Sequence, residues 1–286
     1  MSRLTLVTGG SRGIGRFLVR SFLADTDVLN ISREPAHGAP RNTRDQVHEL
    51  HNLSLDLRDV DNIERHVVRW FDEHPGYAVE TLVNNAAVPC LGWLDGLSPA
   101  RVEHAFRVNV QAPIAVTAAV FGAGRFSERA ARVVYVTSSL GRPAPELSFA
   151  GLGLYSVTKA AVGRLALVQA REFELSAPHI GVARVHPGIV DTDLQRELRR
   201  NPELDPAFAA KSAGLPPYRE GEWSGRSPKD HMRTISPELA AEFVVWVARS
   251  PEVHPAEYDF YHEEDFHLAR AARWERALAG GAVGRS

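Results

Sequence analysis

A single cysteine, Cys90, stands in 286 residues, so no internal disulfide can form and a thiolate-rich structural zinc site lacks ligands. The twelve histidines are scattered, and pairs such as His48/His51 or His262/His267 do not make the HExxH spacing of a catalytic zinc, so no metal is expected. Net charge is equally scarce. Lys plus Arg number 33 against 35 Asp plus Glu, a formal charge of -2 that gives no reason to expect nucleic acid or an acidic membrane as a partner. Long apolar runs are missing too: the first, residues 4–8, stops at glycines, and none approaches the roughly 20 residues of a membrane span. Nothing at the N-terminus reads as a signal peptide, and cytoplasmic residence is the default expectation. What the chain does have is 44% hydrophobic content, enough for one large domain over residues 1–286.

Residues 4–8 form a short apolar run that predicts a strand, followed at once by TGGSRGIG at 8–15 and an apolar-periodic stretch that predicts a helix. Strand, glycine turn and helix is the order of a dinucleotide site: Gly9 lets the chain turn, Gly13 lets the backbone approach a pyrophosphate, and Gly15 lets helix and strand pack closely. A glycine trio alone marks no more than a turn, and it is the flanking pattern that gives it meaning. A second strand over residues 27–31 leads to Arg33, where an arginine pairs with the 2'-phosphate of NADP and an acid would hold the 2'-hydroxyl of NAD. Arg12 adds a second cation, whereas Glu34 leaves the hydroxyl reading open.

Residues 35–45 suit a surface loop, a third strand ends near Asp56 and Leu57, and residues 59–73 predict a helix with Val60, Ile63, Val67, Val68 and Phe71 inward. A fourth strand runs into Asn84 and Asn85, which beside Ala86 and Ala87 mark either a backbone passing a ligand or simple turn chemistry. Ser98 caps a helix that should reach about Phe121, with Asn109 inside it, either solvent-facing or placed for a purpose. Further strands end at Ser138 and Ser139 and at the Pro187–Gly188 turn. Strands and helices alternating at this spacing predict an α/β fold, a Rossmann-like doubly wound parallel sheet of about seven strands with its ligand beyond the C-terminal strand ends.

Tyr155 and Lys159 stand four apart in a segment of helix-tolerant residues and so share one face. Alone they describe a solvated helix face equally well. As a catalytic pair, an ammonium at about 4 Å in a dielectric of about 20 favours the phenolate by roughly 4 kcal/mol. That would bring a phenol from about 10 to near 7.

Taken together, TGGSRGIG at 8–15, NNAA at 84–87, Asn109, SSLG at 138–141, YSVTK at 155–159 and PGIVDT at 187–192 resemble the short-chain dehydrogenase/reductase superfamily. The resemblance spans residues 4 to about 195. It implies Tyr155 as proton donor, Lys159 as the group that lowers its pKa and holds the nicotinamide ribose, Ser138 rather than Ser139 as the carbonyl-binding hydroxyl, and Asn109 as the holder of a water joining Lys159 to solvent. It implies an NADP(H) site formed by Gly9, Ser11, Arg12, Gly13, Ile14, Gly15 and Arg33, by Asp56 at the adenine with Leu57, by Asn85 and Ala86, and by Pro187, Gly188, Val190 and Thr192, the last at the carboxamide. Self-association as a homodimer or homotetramer, through the helices after the fourth and fifth strands, is part of the same implication.

The chain departs from that pattern in three places. The loop between Ser138 and Tyr155 is long and brings Leu147 and Phe149 toward the expected substrate. Residues 194–236, rich in proline and glycine, occupy the place of a substrate lid. The usual glycine-rich seventh strand is replaced by AEYDFYHEEDF, closer to sepiapterin- and benzil-reductase-like endings, with a helix-like extension over 263–286. The expected activity is NADPH-dependent reduction of a ketone or aldehyde, a bulky or aromatic one if Trp93, Leu94, Phe149, Leu152, Tyr218 and Trp223 face it. The alternatives are a catalytically silent NADP sensor, a dehydrogenase working in the oxidative direction, and dehydration or epimerisation on a tightly held cofactor.

Overall fold

The computed structural model describes residues 1–37, 42–43, 46–218, 233–251, 255, 257–267 and 270. Seven strands form one all-parallel sheet: β1 (Ser2–Thr8), β2 (Asp27–Ser32), β3 (Leu50–Ser54), β4 (Tyr77–Asn84), β5 (Ala131–Val136), β6 (Ile180–His186) and β7 (Glu257–Asp259). Their spatial order is β7-β6-β5-β4-β1-β2-β3. The chain therefore winds outward from β1 in one direction and from β4 in the other. Between those two strands lies the reversal point where such sheets open a crevice.

The central strands are buried on both faces, period-two alternation sending their side chains to each in turn, whereas the edge strand β3 has no fully buried residue. In β5, Val133 and Tyr135 pack into one core while Val134 and Val136 pack into the other; in β1, Leu4 and Leu6 oppose Val7. Helices α1 (Gly13–Phe22) and α8 (Pro237–Arg249) contribute to one face of the sheet. The other is covered by α2 (Val60–Glu73), α4 (Ala112–Gly122) and α5 (Gly153–Ser176), the helix α3 (Pro99–Phe106) leading into α4. In α2 the buried side chains are Ile63, Val67, Trp70 and Phe71, whereas Val60 and Val68 are only half-buried. Trp70 takes an inward place that the aliphatic pattern did not give it, stacking on His74 with ring centroids 4.3 Å apart.

The helix expected from Ser98 to about Phe121 runs continuously over Pro99–Gly122, with the Ser98 hydroxyl accepting the Arg101 N–H at 3.4 Å. It is the one helix among the described residues long and apolar enough to cross a membrane, and half of its most apolar window is buried within the protein. Pro113 has no N–H to return to the Asn109 carbonyl, and the chain opens into a π turn over Arg107–Gln111. In the proline-bearing stretch 35–45, residues Asn42–Thr43 pair antiparallel with Gln46–Val47.

The segment 194–236 is more regular than its composition suggests. It contains most of α6 (Asp193–Arg200) and all of α7 (Pro206–Ala213), the latter started by Asp205, whose carboxylate accepts the Ala207 N–H at 2.8 Å, and by proline at its first position. Residues 219–232, including Trp223, lie outside the described residues, as do 271–286 of the C-terminal extension.

Candidate active site

The C-terminal strand ends enclose a cleft of about 440 Å³. Every residue assigned from the sequence to the cofactor lines it: Gly9, Ser11, Arg12, Gly13, Ile14 and Gly15 from the first turn, Arg33 after β2, and Asp56 and Leu57 after β3. Asn85 and Ala86 after β4, Pro187, Gly188, Val190 and Thr192 after β6, and Tyr155 and Lys159 from α5 complete the set. Ser138 lines the cleft and Ser139 does not, which separates the two serines.

The first turn is shaped by the absence of side chains. A Cβ on Gly15 would stand 2.0 Å from the Gly9 carbonyl oxygen, a separation no real contact tolerates. Gly13, at φ +55°, has only the Thr192 methyl, at 3.6 Å, near the position of its missing Cβ. Arg12, the N-cap of α1, makes no side-chain capping bond, so the first N–H groups of the helix face the cleft unpaired by a cap. An open backbone cradle at a helix N-terminus fits a diphosphate, and the residues present suit a dinucleotide. Two asparagines hold this turn. Asn85 donates to the carbonyls of Thr8 and Gly9 at 3.0 and 3.3 Å, and buried Asn30 accepts the Gly10 N–H at 2.8 Å. Asn30, in mid-strand, was not singled out by sequence, and only its hydrogen bonds reveal it.

Where the cleft meets the end of β2, Arg33 is exposed and, among the described residues, makes no ion pair. Glu34 is exposed beside it, and the Asp56 carboxylate is paired with Arg58 at 2.6 Å, a hydrogen bond that holds it below the usual carboxylate range. Arg58 and His104 both line the cleft and were missed by sequence reasoning, which had only their strand-end and helix positions to go on.

At the other end, Tyr155 and Lys159 are both buried, 8% and 5% exposed, so the solvated-face alternative falls. The expected acidification of the phenol is not found. Burial pushes Tyr155 up to about 12, and the hydrogen bond with Ser138 works the other way without cancelling it. Lys159 does not offset the burial because its ammonium donates to the Val136 carbonyl at 2.8 Å and lies 5.8 Å from the centre of the phenol ring. Burial also lowers Lys159 to about 8, which leaves it mostly charged at neutral pH.

Asn109 does not line the cleft but is buried beneath it. Its side chain accepts the Val88 N–H at 2.8 Å and donates to the Val88 carbonyl at 2.9 Å and to Thr158 at 3.0 Å. It thus ties the loop after β4 to the helix turn that carries Tyr155 and Lys159, and the solvent-facing alternative falls as well. Thr192 caps α6, accepting the Gln195 N–H at 3.3 Å.

The aromatic wall expected around a substrate is absent from the cleft as far as the described residues go. Trp93 and Leu94 are 59% and 69% exposed, and the Trp93 indole donates to the Glu203 carbonyl at 2.9 Å. Phe149 and Leu152 pack with Leu91, Leu204 and Phe208 in a separate apolar cluster, and Tyr218 packs on Phe260. Leu147 does not reach the cleft either. These rings found one another because burying apolar surface against apolar surface needs no ligand. The apolar lining includes Val88, Pro89, Leu140, Leu194 and Leu198, of which Leu140, Leu194 and Leu198 also belong to that neighbouring cluster.

Known proteins resemble this chain in sequence and in fold. A family model described as short chain dehydrogenase matches residues 3–203. The sequence is 27% identical over 224 residues to galactitol 2-dehydrogenase of Agrobacterium fabrum, covering 76% of this chain and 78% of the relative. It is 24% identical over 208 residues to the (S)-benzoin-forming benzil reductase of Bacillus cereus, covering 71% and 82%. Among solved structures, a short chain dehydrogenase of Burkholderia cenocepacia in complex with NADP superimposes with a TM-score of 0.65 at 25% identity, over 89% of this chain and 94% of that one.

Proposed function

From the premise that the chain belongs to the short-chain dehydrogenase family, and is an oxidoreductase of the NAD(P)-dependent kind, we propose that it reduces a ketone or aldehyde with NADPH, Tyr155 giving the proton. The observation that carries the reading is the burial of Tyr155 against Ser138 in the same cleft wall as Lys159, at the end of the cleft away from Arg33. When bound, the nicotinamide supplies the hydride. The remaining work belongs to side chains. A phenol held near 12 keeps its proton at neutral pH until negative charge grows on the substrate oxygen, and Ser138 donates to that same oxygen. Lys159 stays charged below about 8 and, with the ribose to bind, would turn from the Val136 carbonyl toward the phenol.

NADP is favoured over NAD by Arg33 and Arg12 on the rim, since two cations suit a phosphate better than a hydroxyl. The NADP bound by the Burkholderia neighbour points the same way. An apolar lining from Val88, Pro89, Leu140, Leu194 and Leu198 suits a carbonyl compound with an apolar body, as benzil is for the Bacillus relative, better than a polyol. The α6–α7 segment contributes Leu194 and Leu198 to that lining and serves as the cover of the cleft. Exposed Ile114 and Phe121 on α4 and Val157, Val168 and Leu175 on α5 give a homodimer or homotetramer its surface. A free thiol at Cys90 suits the cytoplasm.

Tyr155→Phe tests the assignment. NADPH oxidation with benzil, quinones or aldehydes should fall at least about a thousandfold while NADPH affinity changes little. Activity near the wild-type level in that variant overturns it.

A further inference from the structure

The turn that carries Ser138 is bracketed from both sides by one carboxylate on the last strand. Thr137, immediately before the serine, donates its hydroxyl to Glu257 Oε1 at 2.7 Å. Arg142, four residues after the serine, donates Nε to Glu257 Oε2 at 2.7 Å and Nη2 to Asp259 Oδ2 at 2.6 Å. Between these anchors the chain makes one tight turn. Gly141 N–H reaches the Ser138 carbonyl at 2.9 Å, and Leu140 N–H reaches the Ser138 hydroxyl at 3.3 Å. On its inner side the turn is pressed against α5, because a Cβ on Gly141 would stand 2.8 Å from the Ala160 nitrogen and the Lys159 carbonyl carbon. Ser138 is therefore fixed between the helix bearing Tyr155 and Lys159 and a pair of acids about 120 residues further along the chain.

The bracket is mostly shielded from water. The Glu257 and Asp259 side chains are 16% and 8% exposed and Arg142 35%. Two carboxylates sharing one guanidinium in such a place cost desolvation, and they persist only where further donors satisfy them. Thr137 does this for Glu257, and the Tyr261 N–H, at 3.0 Å, does it for Asp259.

We propose that Glu257, with Asp259 and Arg142, forms a positioning device that holds the Ser138 hydroxyl on the carbonyl oxygen, making β7 part of the reaction site. The inference rests on the reading of Ser138 as the carbonyl-binding hydroxyl. An uncharged Glu257 loses Arg142, and the serine gains freedom without losing its own chemistry. Misplacement of a catalytic group by about 1 Å costs up to about a hundredfold in rate.

The test is a double-mutant cycle between Glu257→Gln and Ser138→Ala, read as NADPH oxidation with the fastest of benzil, quinone and aldehyde oxidants. Glu257→Gln alone should lower kcat about tenfold to a hundredfold, with NADPH affinity within about twofold of wild type. In the Ser138→Ala background the same substitution should change kcat less than about twofold, because the group it positions is gone. Equal losses in both backgrounds overturn the proposal. Arg142→Gln repeats the cycle from the other side of the bracket should Glu257→Gln fail to fold. Backbone hydrogen exchange at residues 140–142 reads the bracket with no substrate, and should speed up about tenfold or more in Glu257→Gln relative to α5. Unchanged exchange removes the bracket. Absence of turnover in the wild-type protein with every oxidant, beside accelerated exchange in the variant, instead removes the carbonyl-reductase reading and with it the role given to Ser138.

Discussion

The two ends of the cleft are built from different materials. At the end with the glycine turn the shape comes from backbone and from missing side chains, with Gly9, Gly13 and Gly15 close together and Asn85 and Asn30 clamping the turn. At the Tyr155 end it comes from side chains that meet across long stretches of chain: Thr137 and Arg142 on Glu257, Tyr261 on Ile189, Asn109 on Val88 and Thr158. The first kind of site fails when anything is added. The second fails when a charge or hydrogen bond is removed, and it carries a standing cost in stability because ionisable groups are held away from water.

The sharpest break of that contrast is at Gly15. Gly15→Ala places a methyl 2.0 Å from the Gly9 carbonyl oxygen, so the turn must move, and NADPH affinity should fall at least about a hundredfold with a loss of about 3 kcal/mol of stability. Fluorescence titration and denaturant unfolding measure both. Lys159→Met should go the opposite way in stability. Lys159 is lowered from 10.5 to about 8, so the folded state disfavours its charge; the cost is fully present below about pH 8 and is relieved as pH rises toward 10.5. The methionine variant should be more stable by about 2 kcal/mol at pH 7, inactive, and without the rise that Lys159 gives wild-type stability between pH 8 and 10. Above pH 10 Tyr155, Tyr77 and Tyr135, each raised to about 12, and Tyr261, also raised by burial, bring stability down again, because the unfolded chain then releases those protons first.

Smaller effects refine the comparison. The Tyr261 hydroxyl accepts the Ile189 N–H at 2.9 Å and donates to the Arg233 carbonyl at 2.6 Å, so Tyr261→Phe leaves two backbone groups of the Pro187–Gly188 region without partners. A loss of about 2 kcal/mol in unfolding free energy is expected, with weakened NADPH binding. Trp93→Phe removes an exposed indole bond to Glu203, and should move stability by less than about 0.5 kcal/mol and leave KM unchanged. A large rise in KM there would restore Trp93 to the substrate wall.

These regions also differ in how openly the sequence declares them. Three glycines after an apolar run, a Tyr and Lys four apart, and six strand-like runs are local patterns, and local patterns survive in a string of letters. Glu257 and Tyr261 could not be read that way, since their partners lie 28 to 120 residues off and nothing in AEYDFYHEEDF distinguishes an acid that braces a turn from one that faces water. Asn109 was conspicuous in mid-helix, but its three bonds depend on where Val88 and Thr158 arrive in space. The aromatic residues misled for the opposite reason. Phe149 and Tyr218 lie near the right place in the chain, yet their rings pack on Phe208 and Phe260, and Trp93 stands exposed with its indole on the Glu203 carbonyl. The tyrosine's proton affinity was misjudged because the attraction of Lys159 was counted and the burial of the phenol was not.

In the proposed reaction the cleft passes hydride to a carbonyl carbon while Tyr155 provides the proton. Its most direct test is reduction of an active oxidant with NADPH deuterated at both nicotinamide C4 positions, followed by mass spectrometry of the alcohol. One deuterium bound to the carbinol carbon is the expected result, with the hydroxyl hydrogen coming from solvent. Carbon-bound hydrogen drawn from solvent, or no alcohol from any oxidant by a protein that binds NADPH, would contradict it.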